Sequence, residues 1–60
     1  MIEVFIIEKM VAPGIWELLS DIAYLNKSTA LTECESATKV MQKIDKNFTA
    51  RVSKLKIKNL

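Results

Sequence analysis

The chain opens on a short and almost continuous apolar run, Ile2-Glu3-Val4-Phe5-Ile6-Ile7. The run is rich in β-branched and aromatic residues, which are favoured in strands, so we expect a strand over residues 2–11. Its even positions and its odd positions are both apolar. This pattern predicts a strand that is covered on both faces or lies at a contact between subunits.

The chain's only proline and only glycine are adjacent, at Pro13 and Gly14. Proline presets φ and glycine tolerates a positive φ, so the pair predicts a turn over residues 12–14.

The next segment, residues 15–25, fits two structures. Its apolar residues follow the i, i+3, i+4, i+7 spacing of a helix that Pro13 could begin. A Pro-Gly turn between two apolar runs equally fits a hairpin, with Trp16 and Leu18 on one face of the second strand. Periodicity alone favours the helix. The residues that carry the helical spacing are Ile15, Leu18, Leu19 and Ile22.

A capping box predicts the start of a helix over residues 33–46. The Thr32 hydroxyl could accept a hydrogen bond from a backbone amide of the first turn, and the Glu35 carboxylate could accept one from the backbone amide of Thr32. Asn47 is a plausible C-terminal stop. An apolar stripe spaced by three and four follows the box, comprising Cys34, Ala37, Met41 and Ile44 with Val40 beside it.

The C-terminal segment returns to strand periodicity, and we expect a strand over residues 48–57. Phe48, Ala50 and Val52 alternate with polar residues, but Leu55 and Ile57 alternate in the opposite phase. A bulge or break near Ser53 would account for the change of phase. The competing interpretation is an amphipathic helix through Phe48, Val52 and Leu55.

Together these elements predict a single small α+β domain over residues 1–60, with β-β-α-β order and an antiparallel sheet packed on one helix. The alternative order is β-α-α-β. A chain of 60 residues buries only about 60% of the surface that it exposes when unfolded, so we expect a homodimer through strand 1 or the C-terminal strand. The candidate interface residues are Ile2, Val4, Phe5, Ile7 and Trp16.

The charges divide the chain into an acidic body and a basic tail. Residues 1–45 hold seven acids and four lysines, whereas residues 46–60 hold five basic residues and no acid. A basic strand face could contact nucleic-acid phosphates, or it could be a solvated edge that lysines protect from unwanted pairing. The candidate nucleic-acid contacts are Arg51, Lys54, Lys56 and Lys58.

Enzymatic chemistry has little support in the composition. One cysteine and no histidine exclude an internal disulfide framework, the usual zinc ligand sets and a Ser/His or Cys/His nucleophile pair. We therefore expect no catalytic residue, metal, cofactor or small-molecule substrate, and interpret Cys34 as a buried structural residue. No apolar run approaches the roughly 20 residues of a membrane span, so we expect a soluble, cytoplasmic protein without a membrane partner.

Five short segments, Ile6-Ile7, Pro13, Trp16, Ser20-Asp21 and Leu31-Thr32-Glu33-Cys34-Glu35, resemble a family of short prophage-encoded proteins of unknown function from enteric bacteria. The resemblance covers residues 2–36; the lysine-rich tail lacks the late second cysteine that those proteins tend to carry. It implies that residues 15–21 form the second strand of a hairpin. It also implies a phage or prophage origin and a host-directed role, and it supplies no catalytic residue.

From residues and resemblance together we expect a non-enzymatic, phage-type interaction protein that binds and modulates a host protein. The alternative is a nucleic-acid-binding regulator that uses the basic C-terminal strand.

Overall fold

A computed structural model describes residues 1–58 and shows three strands and one helix. The order is β1 (Ile2–Ala12), β2 (Ile15–Tyr24), α1 (Lys27–Met41) and β3 (Ala50–Ile57). The strands form one antiparallel sheet in the order β2-β1-β3, and α1 contacts all three. The α+β class and the β-β-α-β order are therefore confirmed, and the β-α-α-β alternative is wrong.

The hairpin of β1 and β2 turns at Pro13 and Gly14, as the sequence predicts. Gly14 has a φ of 76°, a left-handed conformation that glycine adopts without steric cost, and Ala12 pairs with Ile15 across the turn.

Residues 15–24 form a strand that contains a bulge. Ile6 pairs with Ala23 and Glu8 pairs with Leu18, so residues 19–22 all lie opposite the single residue Ile7. Leu18 lies on one face of the sheet, opposite Glu8, whereas Leu19 and Ile22 lie within the bulge and line the helix side, so the apolar spacing of three and four reflects a strand that is apolar on both faces. The helix that periodicity favoured is therefore wrong, and the hairpin interpretation is confirmed.

Strand β3 pairs with β1 without any break, from Ile2 with Ile57 to Lys9 with Ala50. The predicted bulge near Ser53 is therefore wrong, and so is the helical alternative for this segment. The change of phase has another cause. Ala50 and Val52 face the helix side of the sheet, whereas Leu55 and Ile57 face the other side, because β3 carries apolar residues on both faces.

Helix α1 begins six residues before the predicted start. Asn26 is its N-cap, and the Asn26 Oδ1 accepts from the Ser28 amide at 2.9 Å. The predicted capping box lies inside the helix: the Thr32 hydroxyl donates to the carbonyl of Ser28, and Glu35 pairs with Lys39 at 3.4 Å. The start predicted at residue 33 is wrong because the asparagine at the exit of β2 already caps the helix.

Helix α1 also ends earlier than predicted, at Met41 rather than residue 46. Its C-cap is Gln42, whose Nε2 donates to the carbonyl of Phe48 at 3.1 Å and so fixes the return of the chain toward β3. Asn47 lies in the segment between α1 and β3, where its backbone N–H donates a hydrogen bond to the Asp45 carboxylate. The predicted apolar stripe includes Ile44, but Ile44 lies outside the helix and is 81% exposed.

The core lies mainly between α1 and the sheet. Ala30 and Cys34 are the buried residues of the helix, and Ile7 and Phe48 are buried with them, whereas Val4 is buried on the opposite face of β1. The predicted burial of Cys34 is confirmed. Within residues 1–58, no helix is both long and apolar enough to cross a membrane.

Candidate interaction surfaces

The register of β1 and β3 assigns their side chains to two faces, because residues directly opposite in an antiparallel pair point to the same side. Phe5 opposite Lys54 and Ile7 opposite Val52 lie on the face that α1 covers. The other face, which we call the open face, carries the intervening residues of both strands and the paired tip of β2. Its members are Ile2, Val4, Ile6, Glu8, Met10, Trp16, Leu18, Arg51, Ser53, Leu55 and Ile57.

The open face is largely apolar and accessible. Leu18 on β2 is 53% exposed, and Leu55 on β3 is 48% exposed. Val4, in the central strand and opposite Leu55, is buried. No element of the described chain covers this face.

A small polar cluster interrupts the open face. Glu8 accepts hydrogen bonds from the Ser53 hydroxyl and from the Arg51 Nε, the latter at 3.0 Å. The Ser53 hydrogen bond is the largest cause of a pKa of Glu8 below its ordinary value. Burial, the next largest effect, raises the pKa, and the hydrogen bond and charge of Arg51 lower it again. The guanidinium also lies 4.0 Å from the centre of the Trp16 ring. Each charge of the cluster is therefore already paired within the chain.

A second apolar surface is a groove between α1 and β2. It has a volume of about 470 Å³, within the range of ligand pockets in proteins. Its apolar walls come mainly from β2 and from the C-terminal half of α1, and its polar rim carries Glu33, two serines and Tyr24. The residues that line the groove are Ile7, Leu19, Ser20, Ile22, Tyr24, Glu33, Ser36, Ala37, Val40 and Met41.

The structure separates the candidate interface residues. Ile2, Val4 and Trp16 lie on the open face, whereas Phe5 and Ile7 lie on the face that α1 covers. Strand β1 is central, so both of its backbone edges are already paired, and a contact through β1 has to use its face. Sequence reasoning missed the groove, since the bulge that turns Leu19 and Ile22 toward α1 leaves no local signal.

The candidate nucleic-acid contacts are separated as well. Lys54 and Lys56 share the helix-side face of the edge strand β3, and Lys58 follows the end of that strand. Arg51 lies on the open face, bonded to Glu8.

The start of α1 places a further lysine, Lys27, near the basic strand. Lys27 and Lys54 line a small depression of about 220 Å³ together with Glu3, Phe5 and Val52. The charge that could meet a phosphate therefore comes from lysines of β3 and α1.

Among the described residues, no group of three or more His, Cys, Asp or Glu side chains is placed to hold a metal ion. Comparisons of the chain with protein-family models, with curated proteins and with solved structures found no match.

Proposed function

We propose that the chain is a non-enzymatic interaction protein of phage or prophage type that binds and modulates a host protein. The observation that carries the proposal is the apolar groove between α1 and β2. Its walls include Ile22 and Val40, which are 55% and 59% exposed. Large accessible apolar surfaces on small proteins commonly mark sites of protein–protein contact.

The wider distribution of apolar residues supports the same function. Thirteen large hydrophobic residues of the described chain are at least 39% exposed, against five hydrophobic residues that are buried. Scattered apolar residues on a surface are ordinary, but here two of the thirteen, Ile22 and Val40, lie in one concave site. A partner that inserts apolar side chains between α1 and β2 would bury Ile22 and Val40 together.

The polar rim limits what such a partner can be. Glu33 and Ser36 lie on α1, and Ser20 and Tyr24 lie on β2, so the groove offers a carboxylate and three hydroxyls. The best match is a host-protein segment with apolar anchors at its centre and hydrogen-bonding or basic groups at its margin. The proposal places this contact in the cytoplasm of a bacterial host, in keeping with the prophage resemblance.

The test is site-specific crosslinking in a bacterial lysate. A photoreactive residue replaces Val40 in the groove, and a matched variant carries the same group at Ile44, which is 81% exposed and does not line the groove. We expect one discrete host protein at position 40, unaffected by nuclease, and little capture at position 44. The captured protein is then purified, and its affinity for the chain is measured with and without Val40→Asp. Equal capture at both positions, or an affinity unaffected by V40D, would contradict the proposal.

A second candidate function is binding of nucleic acid through the basic strand. The observation in its favour is the proximity of Lys27 to Lys54, which adds a lysine of α1 to those of β3. Affinity for duplex DNA should then fall steeply with salt, and replacing Lys54, Lys56 and Lys58 by Gln should reduce the salt dependence. Absence of measurable binding at low salt would reject this function.

A further inference from the structure

The open face differs from the rest of the surface in its charge. Among the members named above, Glu8 and Arg51 are the only charged residues, and they form an ion pair with each other at 3.0 Å. The lysines of the paired β1 and β3 segments, Lys9, Lys54 and Lys56, all lie on the opposite face. Where β1, β3 and the tip of β2 pair, the open face is therefore largely apolar and carries no net charge.

Neutrality favours one kind of occupant. In a twofold contact the same surface meets itself, so any net charge on it would be placed against an identical charge. The helix-side face with its lysines would repel its own copy in this way, whereas the open face would not. The hydrogen bonds of Glu8 to Ser53 and Arg51 also leave the carboxylate already satisfied when water is removed.

The dimensions of the face agree with such a contact. Eight residues of β3 pair with β1, and β2 completes a three-stranded sheet. At about 3.3 Å per residue and about 4.8 Å between strands, the face covers roughly 26 by 14 Å in projection. The accessible area of projecting side chains exceeds this footprint, so two copies would bury on the order of 1,000 Å², the lower limit for a specific interface.

We propose that the open face packs against the open face of a second copy about a twofold axis. The product is a sandwich of two three-stranded sheets, with one α1 helix on each outer surface. Aligned packing of two twisted sheets is a common way to bury an apolar sheet face, and the side chains at its centre interdigitate. Leu18 and Leu55, each about half exposed in one copy, become buried, and Trp16 loses contact with water.

The experiment measures mass and tryptophan fluorescence over a concentration series in the micromolar range. A small interface predicts reversible association, with the mass rising toward twice the 6.8 kDa of one chain. Trp16 is the only tryptophan, so its emission should shift to shorter wavelength over the same concentrations. Leu18→Asp and Leu55→Asp should each weaken association at least tenfold, and circular dichroism verifies that the variants remain folded.

Val40→Asp is the matched control, because Val40 is similarly exposed but lines the groove on the other side of the sheet. It should leave both the dimer and the Trp16 emission unchanged. A monomer at every concentration, or a dimer that survives L18D and L55D but is lost in V40D, would overturn the proposal. Host-protein binding through the groove is measured separately, so failure of the dimer and failure of the proposed function remain distinguishable.

Discussion

The start of helix α1 yields the most discriminating prediction, because sequence pattern and structure assign the N-cap to different residues. The structure gives the cap to Asn26, whose Oδ1 accepts from the Ser28 amide at 2.9 Å and from the Ser28 hydroxyl at 2.7 Å. The capping-box pattern gives it to Thr32, which lies inside the helix and donates to the Ser28 carbonyl at 3.0 Å. Substitution of each residue by alanine separates the two assignments.

The two substitutions should differ in the size of their effects. Asn26→Ala removes an N-cap acceptor and should lower the free energy of unfolding by about 1 kcal/mol, within the usual range of about 0.5–2 kcal/mol. Thr32→Ala loses only a solvent-exposed hydrogen bond within the helix and gains helix propensity. It should therefore change stability by no more than about 0.5 kcal/mol.

The assay is thermal and urea denaturation followed by circular dichroism. For a domain of this size, about 1 kcal/mol corresponds to a change of roughly 4–8 °C in Tm, which is readily measured. All variants are compared at one protein concentration, since self-association would make Tm depend on concentration.

Asn26→Asp provides the matched control. Aspartate caps about as well as asparagine, and the first turn of α1 contains no acidic residue. Its charge near the helix N-terminus should preserve or slightly raise stability. If T32A costs about 1 kcal/mol while N26A is neutral, the helix starts near residue 33 and the structural assignment of the cap is refuted.

Three further predictions concern the interior and the open face. Glu8→Gln should reduce the dependence of stability on pH: the folded state lowers the pKa of Glu8, so its contribution is complete above the unfolded pKa of about 4.3 and is lost as pH falls through the folded pKa. A difference between wild type and E8Q that stays constant through acid titration would contradict this. Ala30→Leu should cost about 1–3 kcal/mol in urea denaturation, because Ala30 is fully buried, whereas Leu31→Ala, at an exposed neighbour, should cost less than about 0.5 kcal/mol. Arg51→Lys should change the Trp16 fluorescence, since a lysine reproduces neither the stacked guanidinium nor the hydrogen bond from Nε; an unchanged spectrum would show that the contact is not formed in solution.

Features set by a few adjacent residues could be predicted from the sequence. The Pro13-Gly14 turn requires only a fixed φ followed by a positive φ, and both are properties of these two residues. The apolar run of β1 was sufficient to identify a strand with two apolar faces. The structure shows the reason for both faces: α1 covers Phe5 and Ile7, and Ile2 and Ile6 belong to the open face.

Features set by distant pairing could not be predicted. The bulge in β2 depends on how Ile7 of β1 fits between two stretches of regular pairing, and residues 19–22 contain no glycine that would mark it. The helix start was missed for a different reason: Asn26 and Thr32 both have suitable side chains, and only the exit of the chain from β2 at Tyr24 decides between them.

The candidate surfaces also combine features that adjacent residues set with features that distant strand pairing sets. The acidic and basic character of the two chain segments could be counted, but the face on which each charge lies depends on the register of β3. That register places Arg51 opposite Glu8 and sends Lys54 to the other face, opposite Phe5. A basic tail that looked uniform in the sequence is therefore two surfaces, one neutral and one positively charged.

The positions of the groove and the open face have a consequence for how the two proposals combine. The groove lies between α1 and the sheet, and the open face lies on the reverse of that sheet, so a second copy on the open face would leave both grooves accessible on the outside of the dimer. Because dimerisation involves only the folded chain, it would also raise apparent stability with protein concentration. Leu55→Asp should then make Tm independent of concentration while the affinity of the groove for its host protein stays unchanged. If L55D is folded but no longer binds the host protein, the host protein occupies the open face instead.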